Sequence, residues 1–535
     1  MTTTVLDAVV RLLRDTGMTT VFGNPGSTEL RMFRNWPDDF TYVLGLQESS
    51  AVAMAAGHAL GTGRAAFVSL HSAGGVGHAL GAVFNAHRDR VPLVIVAGQQ
   101  ARSLLQLRPF LGADEPDQFP RPYVKSARQP ARAADVPAVL AEMHRIAMTP
   151  PRGPVFVSVP EDDWDQAAEP VEPRTVHSGY TADPDALAAL AARLDTCARP
   201  ALVIGPGVDD EAALPEAVAL AERLRAAVWI SPMSGRSGFP ESHPYFQGFL
   251  PPVAGQLATR LEPYDVVVSL GAPVFTYHVA DDSPPLAPGT ELFHLDCDPA
   301  QAPWLPTGTS LVTTLRPALA QLTALVRRSD REPPPARRQP APVTAGEDLT
   351  PELVLDQLHR RLPRDRVLVE ETPSHRDALH ARVPINLSGG FLTTGSGALG
   401  WGLPLAVGRA LADRRRVVCV LGDGSALYSV QALWTAVRHR APVTFIVLDN
   451  GGYAAVGALG RRIGITPVPG TDIGDIDFTG LAASFGCQAD YADRPADLAR
   501  ALDRAVTSLG DDDGPHLLHL RVTGTEGVLY EPWTG

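Results

Sequence analysis

The chain has 535 residues, of which 45% are hydrophobic and 20% are charged, and its formal net charge at pH 7 is −13. This balance is typical of a soluble globular protein with about three domains, not of a disordered or fibrous one. The basic residues form no stripe of lysine and arginine, so a nucleic-acid partner is not expected. The four cysteines lie far apart without a C-x-x-C pair, which argues against a zinc ribbon and against a disulfide-held secreted fold.

The N-terminal residues predict a surface helix and not a signal peptide, because Asp7, Arg11 and Asp15 interrupt the apolar pattern. The longest apolar runs, such as 91–98 and 441–448, have the length of strands and are too short to span a bilayer. We therefore expect a cytoplasmic protein without a membrane partner.

Strands and helices alternate in three blocks, which predicts three α/β domains with doubly wound parallel sheets covered on both faces. The domains are expected at 1–165, 185–330 and 349–535, with a proline-rich connector at 331–348 before the last. The clearest predicted strands are 67–70, 93–98 and 155–160 in the first block, 201–205, 228–231 and 266–271 in the second, and 367–371, 417–424 and 443–450 in the third. Ligands of such sheets bind beyond the carboxyl ends of the strands.

Two polar motifs, GDGS at 422–425 and DNGG at 449–452, end consecutive strands of the third block. The segment between them predicts one amphipathic helix, so the strands would be neighbours and would bring Asp423 and Asn450 to one sheet edge. Their oxygen ligands suit Mg²⁺, and the glycines and the following helix N-terminus suit a diphosphate. Two ordinary strand-end turns are the alternative, but the spacing of the motifs favours a metal and diphosphate site.

This pairing resembles the cofactor signature of the thiamin-diphosphate enzyme family, in which GDG is followed by a pair usually written NN. Here the first member of the pair is Asp449. The resemblance implies that Asp423, Asn450 and the carbonyl of Gly452 bind Mg²⁺.

Further cofactor contacts in the third block are implied by the same resemblance. The segment EETPSH looks like the family's diphosphate loop, in which Ser374 would donate a hydroxyl and Pro373 stands where the closest relatives have threonine. Leu399 would bend the cofactor into its V shape, although an ordinary core leucine is the alternative, and the carbonyl of Gly397 would accept from the aminopyrimidine. The implied cofactor-binding residues are Glu48, Ser374, Gly397, Leu399, Gly422, Asp423, Gly424, Ser425, Asn450 and Tyr453.

Glu48 ends a predicted strand of the first block, directly ahead of a helix. Thiamin chemistry requires loss of a proton from the thiazolium carbon, and in the family a carboxyl group that hydrogen-bonds the aminopyrimidine makes this possible. A solvent-facing glutamate in a first helical turn is the ordinary alternative.

Several other segments resemble the benzoylformate decarboxylase branch of the family and occur in the same order along nearly the whole chain. They are NPGSTEL (24–30), LQE (46–48), LHSAGGVGHALGA (70–82), GQQ (98–100), GAPVFTYH (271–278) and GALGWGLP (397–404). The glycines at 75, 77 and 81 also resemble a dinucleotide fingerprint, but Gln99 and Gln100 stand where that motif requires an acidic residue.

Three residues carry the resemblance to that branch. Ser27 would hydrogen-bond the substrate carboxylate, His71 would protonate the ketone oxygen, and His278 would supply a proton after carbon dioxide leaves. Histidine suits such proton transfer because its unperturbed pKa is close to neutrality. The other histidines, including His78, His87 and His375, are expected to be structural or surface residues.

The resemblance implies decarboxylation of a 2-oxo acid to an aldehyde and carbon dioxide. The benzoylformate enzyme has phenylalanine at the positions of Thr393 and Leu459, so the pocket is expected to be less aromatic and to suit benzoylformate or a related 2-oxo acid. The implied pocket residues are Ser27, Phe110, Leu111, Thr393, Ala455 and Leu459.

Two other functions remain open at this point: carboligation or acyloin cleavage with the same cofactor, and a non-catalytic homologue that serves as a binding subunit. Glu48 and the metal pair argue against the second. Glu48 and Asp423 must reach one site, which in the family they do across two subunits, so at least a homodimer is expected and by resemblance a tetramer. The middle block looks like a nucleotide-binding fold that holds FAD in some relatives, but nothing in the sequence points to flavin.

Overall fold

The computed structural model of the chain describes residues 3–507 and 514–523. It contains three six-stranded sheets in which every strand pair is parallel, and helices pack on their faces. The predicted α/β fold with three doubly wound parallel sheets is therefore confirmed.

The first sheet has the strand order β2-β1-β3-β4-β6-β5. Its first helix is the predicted N-terminal one, which Thr4 and Asp7 cap reciprocally and which ends at Gly17 with φ 74°. The strands are β1 (Thr20–Gly23), β2 (Thr41–Leu44), β3 (Ala66–Leu70), β4 (Leu93–Gln99), β5 (Ala127–Arg128) and β6 (Val155–Pro160). The helices are α1 (Val5–Thr16), α2 (Glu48–Thr62), α3 (Ser72–Arg88) and α4 (Val136–Met148), with 3₁₀ turns at Ser27–Phe33, Arg102–Leu107, Ala133–Asp135 and Glu161–Asp165.

The second sheet has the order β12-β11-β10-β7-β8-β9. Its strands are β7 (Pro200–Ile204), β8 (Ala227–Ile230), β9 (Phe246–Phe249), β10 (Val266–Leu270), β11 (Glu291–Asp296) and β12 (Thr309–Val312). Its helices are α5 (Pro184–Thr196), α6 (Pro206–Asp210), α7 (Leu214–Leu224), α8 (Ala254–Leu261) and α9 (Leu315–Leu325), with a 3₁₀ turn at Ala302–Trp304. The chain then runs to residue 350 without a helix or strand.

The third sheet has the order β14-β13-β15-β16-β18-β17. Its strands are β13 (Val367–Glu371), β14 (Phe391–Leu392), β15 (Val417–Gly422), β16 (Val443–Asp449), β17 (Gln488–Ala492) and β18 (His516–Arg521). Its helices are α10 (Pro351–His359), α11 (Arg376–Arg382), α12 (Gly402–Asp413), α13 (Asp423–Leu427), α14 (Ala432–Arg438), α15 (Ala454–Arg462), α16 (Phe478–Ser484) and α17 (Pro495–Leu502), followed by a π-helical turn at Asp503–Thr507.

The connection between β15 and β16 differs from the prediction. The strands are neighbours, as predicted, but the single amphipathic helix expected between them is wrong. The structure has two short helices, α13 and α14, separated by a turn over residues 428–431. In this turn the hydroxyl of Ser429 is fully buried and the side chain of Gln431 donates to Ser50 Oγ in α2 at 3.3 Å. The break therefore directs the side chain of Gln431 toward the first domain.

Helices α2 and α12 hold the first and third domains together. A Cβ atom at Gly57 would collide with the carbonyl oxygen of Leu405, and one at Gly408 would collide with the carbonyl oxygen of Met54. The two backbones can approach this closely only because both positions are glycine. Since α2 begins at Glu48, this packing fixes the place of Glu48 relative to the third sheet.

A buried polar junction joins all three domains. Arg236 of the middle domain donates to Asp210 Oδ1 at 3.1 Å and to the carbonyl of Asp89 at 3.3 Å. Asp89 Oδ1 accepts in turn from the backbone N–H of Gly395 at 3.0 Å. Burial raises the pKa of Asp89 to about 7, although that N–H and the charge of Arg236 act in the other direction.

Across residues 3–507 and 514–523, none of the helices combines the length and the apolar character needed to cross a membrane. All four cysteines lie within these ranges, and they are buried and free.

Candidate active site

Strands β13, β15 and β16 are neighbours in the third sheet, and the polar motifs lie together at their carboxyl ends. Gly422, the last residue of β15, pairs in register with Leu448 of β16. Asp423 and Asn450 therefore follow adjacent strands at one edge, as predicted from their spacing. Ser374 follows β13 at the same edge.

Asp423 is buried, and its two carboxyl oxygens have different surroundings. Oδ1 accepts from the backbone N–H of Gly424 at 2.8 Å, whereas Oδ2 is buried and has no hydrogen-bond partner among the described residues. Burial and the nearby Asp449 carboxylate raise the pKa of Asp423 to about 6. A buried anionic oxygen without a partner is costly, so this oxygen is suited to a cation.

Asp449, the first residue of the Asp449–Gly452 turn, is held by two side chains of β18. Asp449 Oδ2 lies 2.8 Å from Nε2 of His519, and Oδ1 accepts from Nη1 of Arg521 at 2.9 Å. Burial acts against ionisation, but these hydrogen bonds hold the pKa of Asp449 at about 2. The charge of Asp449 is therefore compensated by β18, and Asn450, whose Oδ1 accepts from Gly452 N–H at 3.4 Å, remains at the sheet edge.

Two glycines at this edge allow neighbouring residues to pack closely against the backbone. A Cβ atom at Gly424 would collide with the ring of Tyr453, and one at Gly452 would collide with the carbonyl oxygen of Thr471. Both positions therefore require glycine, and Tyr453 stands directly over the start of α13. Ser425 is buried in that helix, whose N-terminal N–H groups point toward the edge.

Two consecutive glutamates end β13 and organise the surrounding loops. Glu371 accepts from the backbone N–H groups of Trp401 and Gly402 at 3.2 and 2.9 Å, so it caps α12. Glu370 accepts from Arg376 at 2.9 Å and from the hydroxyl of Thr393 at 2.8 Å. Thr393, expected in the acyl pocket, is thus buried with its hydroxyl engaged by a carboxylate.

The loop that carries Gly397 and Leu399 is attached to the first domain. Asn85 of α3 donates to the carbonyl of Ala398 at 3.0 Å, and its own carbonyl accepts from the hydroxyls of Thr394 and Ser396. Gly397 has φ 81° and is exposed, while Leu399 is half-buried. The amide of Asn85 therefore sets the position of both predicted cofactor contacts.

Glu48 lies at the first residue of α2, almost buried at the carboxyl end of β2. Its Oε1 is 3.5 Å from Nδ2 of Asn24, and its Oε2 is 3.1 Å from Nδ1 of His78. Within the described chain both partners of Glu48 belong to the first domain, whereas Asp423 is bonded within the third. No direct contact therefore joins Glu48 to Asp423 within the described part of this single chain.

His71 is held by an acidic residue that the sequence did not reveal. Its Nδ1 lies 2.9 Å from Oε2 of Glu29 and 3.1 Å from the hydroxyl of Thr28. Glu29 is buried and also accepts from the backbone N–H groups of Gly26 and Gly98 at 2.9 and 3.1 Å. These acceptors place the proton of a neutral His71 on Nδ1 and leave Nε2 outside this group of hydrogen bonds.

Ser27 is exposed beside this pair, at the start of a 3₁₀ turn. The loop with Phe110 and Leu111 is tied to the same domain by side chains that follow β3 and β4. Gln100 donates to the carbonyl of Phe110 at 2.9 Å, and the hydroxyl of Ser72 donates to the carbonyl of Leu111. The side chain of Phe110 itself is 86% exposed.

His278 and Leu459 line one groove, although they belong to different domains. The groove has a volume of about 420 Å³ and lies between the segment after β10 and helix α15. Its other lining residues are mainly aliphatic, namely Val279, Ala280, Val456, Gly460, Arg462, Ile463, Ile465 and Val468. The structure thus brings His278 to the predicted pocket residue Leu459, with Ala455 on the same helix.

Sequence reasoning missed Glu29, His78, Arg376 and the pair His519 and Arg521 as parts of the site. The motif STE at 27–29 and the histidine within GVGH were visible, but their contacts depend on the way β3, α2 and α3 pack. Nothing in the local sequence connects residue 449 with 519 and 521.

Sequence comparison matches the chain to three consecutive domains of one family. They are described as thiamine pyrophosphate enzyme, N-terminal TPP binding domain (residues 3–119), central domain (187–322) and C-terminal TPP binding domain (374–520). Over 511 residues the chain is 41% identical to benzoylformate decarboxylase of Pseudomonas aeruginosa, covering 94% of this chain and 97% of that protein.

Solved structures of decarboxylases are also similar to this chain. The chain is similar to a thiamine diphosphate-dependent 4-hydroxybenzoylformate decarboxylase of Rhodococcus jostii RHA1, with 37% identity and a TM-score of 0.93 over 98% of this chain and 100% of that one. It is also similar to benzoylformate decarboxylase of Polynucleobacter necessarius, with 34% identity and a TM-score of 0.94 over 97% of this chain and 98% of that one.

Proposed function

Because the chain belongs to the thiamine pyrophosphate enzyme family and is a thiamine-pyrophosphate-dependent decarboxylase of 2-oxo acids, we propose that Glu48, Asp423 and Asn450 hold its cofactor and Mg²⁺. Thiamine pyrophosphate is the thiamin diphosphate expected from the sequence. The observation that carries the proposal is the unsatisfied, buried Oδ2 of Asp423 at the edge where Asn450 follows the neighbouring strand.

The residues at this edge fit a hard divalent cation with a diphosphate. Asp423 Oδ2, Asn450 Oδ1 and the carbonyl of Gly452 would supply three oxygen ligands, and Mg²⁺ prefers to complete its octahedron with phosphate oxygens and water. The N-terminus of α13 and the hydroxyls of Ser374 and Ser425 would face the diphosphate. Gly422 leaves space for it, since the atom nearest to an added Cβ there is Ser425 Oγ at 3.8 Å, whereas Tyr453 fills the space at Gly424.

When bound, thiamine pyrophosphate supplies the nucleophilic carbon that attacks the keto group and accepts the electron pair released with carbon dioxide. Glu48 is proposed to hydrogen-bond the aminopyrimidine through a carboxyl oxygen. Gly397, through its carbonyl, and Leu399 would hold the other side of the same ring system.

The proton transfers would fall to the two histidines. Glu29 holds Nδ1–H of His71, so the doubly protonated ring would carry its second proton on Nε2 and would donate it to the keto oxygen, while Ser27 would orient the substrate carboxylate. His278 stands at the aliphatic groove and would protonate the carbon from which carbon dioxide has left. The proposed product is the aldehyde.

The groove favours a 2-oxo acid with a bulky apolar acyl group. Val456, Leu459 and Ile463 present aliphatic side chains beside His278, and Phe110 and Leu111 would close the pocket from the first domain. The hydroxyl of Thr393, which was expected in the acyl pocket, is bonded to Glu370 and is not free to bind substrate. Benzoylformate and its ring-substituted relatives are the first candidates, because two similar proteins are decarboxylases of such acids.

A homo-oligomer is part of the proposal. Glu48 and Asp423 have no direct contact within the described chain, so a partner subunit would complete each site, as a homodimer or a tetramer. The exposed apolar side chains of Leu107 and Phe110 near the first-domain edge support such an interface. A cytoplasmic location stays a prediction from the sequence.

Product analysis tests the proposed function. The purified protein is incubated with Mg²⁺, thiamine pyrophosphate and a panel of aromatic, branched aliphatic and short 2-oxo acids, and aldehyde and carbon dioxide are measured. Glu48→Gln should lose most activity while binding the cofactor. The matched control Glu216→Gln, in the first turn of α7, should retain it. Full activity of Glu48→Gln at saturating cofactor contradicts the proposed role of Glu48.

A further inference from the structure

The two carboxyl oxygens of Glu48 are not equivalent. Nδ1 of His78 lies 3.1 Å from Oε2, whereas Nδ2 of Asn24 lies 3.5 Å from Oε1. Only the first distance is that of a well-formed hydrogen bond. Oε1 is therefore the oxygen with capacity left for another partner.

Helix α3 passes beside Glu48 at position 75, where even a Cβ atom would come only to van der Waals contact. A Cβ atom at Gly75 would lie 3.4 Å from Cγ of Glu48 and 3.6 Å from Cβ of His71. His78 follows about one helical turn later. Its side chain is 67% exposed, while that of Glu48 is 10% exposed, so a surface imidazole is joined to a nearly buried acid.

A histidine this exposed adds little to packing, and a surface pair of this kind adds little stability. Its effect falls on the carboxyl group instead. A hydrogen bond from Nδ1–H to Oε2 fixes the plane of the carboxyl group. It also favours the acid form in which Oε2 is the carbonyl oxygen, because that oxygen accepts more strongly than a hydroxyl oxygen does. A proton carried by Glu48 then resides on Oε1.

We propose that His78 is a positioning residue of the decarboxylase, donating from Nδ1 to Oε2 of Glu48 and thereby keeping the proton of Glu48 on Oε1, the oxygen free to engage the cofactor. The proposal rests on the proposed function, in which Glu48 acts on the aminopyrimidine. His78 gains and loses no proton in this role.

The test compares three variants. His78→Asn keeps an N–H donor near the position of Nδ1, and His78→Leu removes it. His87→Asn is the matched control, because His87 lies on the same helix with its ring against Tyr123. The rate at which the thiazolium C2 proton of bound thiamine pyrophosphate exchanges with deuterium is measured by quenched NMR, and cofactor affinity by calorimetry.

His78→Leu should slow this exchange about 10- to 100-fold, the usual effect of losing a hydrogen bond to a charged group, with cofactor affinity unchanged. His78→Asn and His87→Asn should exchange close to the wild-type rate. Wild-type exchange in His78→Leu, or an equal loss in His78→Asn, overturns the proposal. Glu48→Gln is measured alongside, and wild-type exchange in that variant counts against the proposed function and not against His78.

A second measurement needs no bound cofactor. In ¹⁵N-histidine NMR spectra of the apo protein at pH 8, the signal of His78 is assigned as the one that is missing in His78→Asn. This signal should be that of the tautomer protonated on Nδ1. A tautomer protonated on Nε2 overturns the proposal, because its Nδ1 cannot donate to Glu48.

Discussion

Nδ1 of His71 lies 2.9 Å from Oε2 of Glu29, and among the described residues the other hydrogen bonds of that buried carboxylate come from the hydroxyl of Thr28 and two backbone N–H groups. Glu29 is thus an acceptor at both oxygens. The same packing leaves no room for a side chain at residue 26, since a Cβ atom at Gly26 would collide with the His71 ring. The turn, the acid and the histidine form one unit.

Glu29→Gln should lower kcat about 10- to 100-fold with a smaller change in KM. The NH₂ group of the glutamine would face groups that donate hydrogen bonds to Glu29 in the wild type, and the orientation of His71 would be lost. His71→Ala and the double variant are measured with it. If Glu29 acts through His71, the double variant is no slower than His71→Ala alone. If the losses in kcat of the two single variants multiply in the double variant, Glu29 does not act through His71.

Asp423→Ala should abolish tight binding of Mg²⁺ and weaken binding of thiamine pyrophosphate, because it removes the proposed charged ligand. Asp449→Asn is the comparison. It keeps the hydrogen-bonding shape of the turn but leaves the charge of Arg521 uncompensated. It should therefore weaken Mg²⁺ binding by roughly 10-fold, a loss of affinity that is usual when a residue supporting a metal ligand is replaced. Calorimetry with both ligands decides this, and wild-type affinity in Asp423→Ala would rule out the metal site.

His278→Ala and His71→Ala should stall the reaction at different stages. Without His278, carbon dioxide is released but the remaining carbon is protonated slowly, so an added aldehyde captures it and 2-hydroxy ketone rises relative to free aldehyde. Without His71, the earlier addition to the keto group slows. A positioned acid or base contributes roughly 10²–10⁴-fold, so rapid-quench analysis resolves both effects. The same ratio of 2-hydroxy ketone to aldehyde in both variants means that the two histidines do not act in different proton-transfer steps.

Asp89→Asn should stabilise the protein at alkaline pH. Burial raises the pKa of Asp89 to about 7, above its ordinary value, so the folded protein holds this proton more tightly than the unfolded chain. The resulting stability is complete below about pH 4 and is lost as the pH rises through 7. The variant should therefore melt roughly 2–5 °C above wild type at pH 8 and show a smaller gain at pH 5.

The matched control for that comparison is Asp39→Asn. Asp39 is exposed, and its hydrogen bond with Arg14 lowers its pKa, the opposite direction. It should give no gain at pH 8. Burial also raises the pKa of Glu211 to about 7, but Glu211 is present in the wild type and in both variants. Its contribution therefore cancels in the differences in melting temperature. A gain for Asp89→Asn that is the same at both pH values contradicts the prediction.

Much of the fold was predictable because the strands are short, continuous apolar runs that end in polar motifs. The same rule placed Asp423 and Asn450 at one sheet edge, since parallel neighbours separated by one crossover meet there. The helix between them was predicted wrongly because periodicity alone does not show that the chain turns at residues 428–431 and that Gln431 contacts the first domain.

The parts of the site that were not predicted depend on contacts between distant segments. Thr393 was assigned to the pocket by resemblance, yet Glu370 and Arg376 hold its hydroxyl. His78 was expected to be an ordinary surface or structural residue, and its exposure agrees with that, but its Nδ1 faces Glu48. Periodicity gives the face of a helix, not the neighbour that this face meets.

The bond between Arg521 and Asp449 also has a consequence for the order in which the protein is made. Arg521 follows Asp449 by 72 residues. A nascent chain in which the Asp449–Gly452 turn has just been synthesised therefore still lacks the guanidinium that compensates the charge of Asp449. Until the ribosome has added β18, the turn has an uncompensated carboxylate beside Asp423. The charge balance of this half of the site is therefore complete only after β18 has been made and has paired with β16.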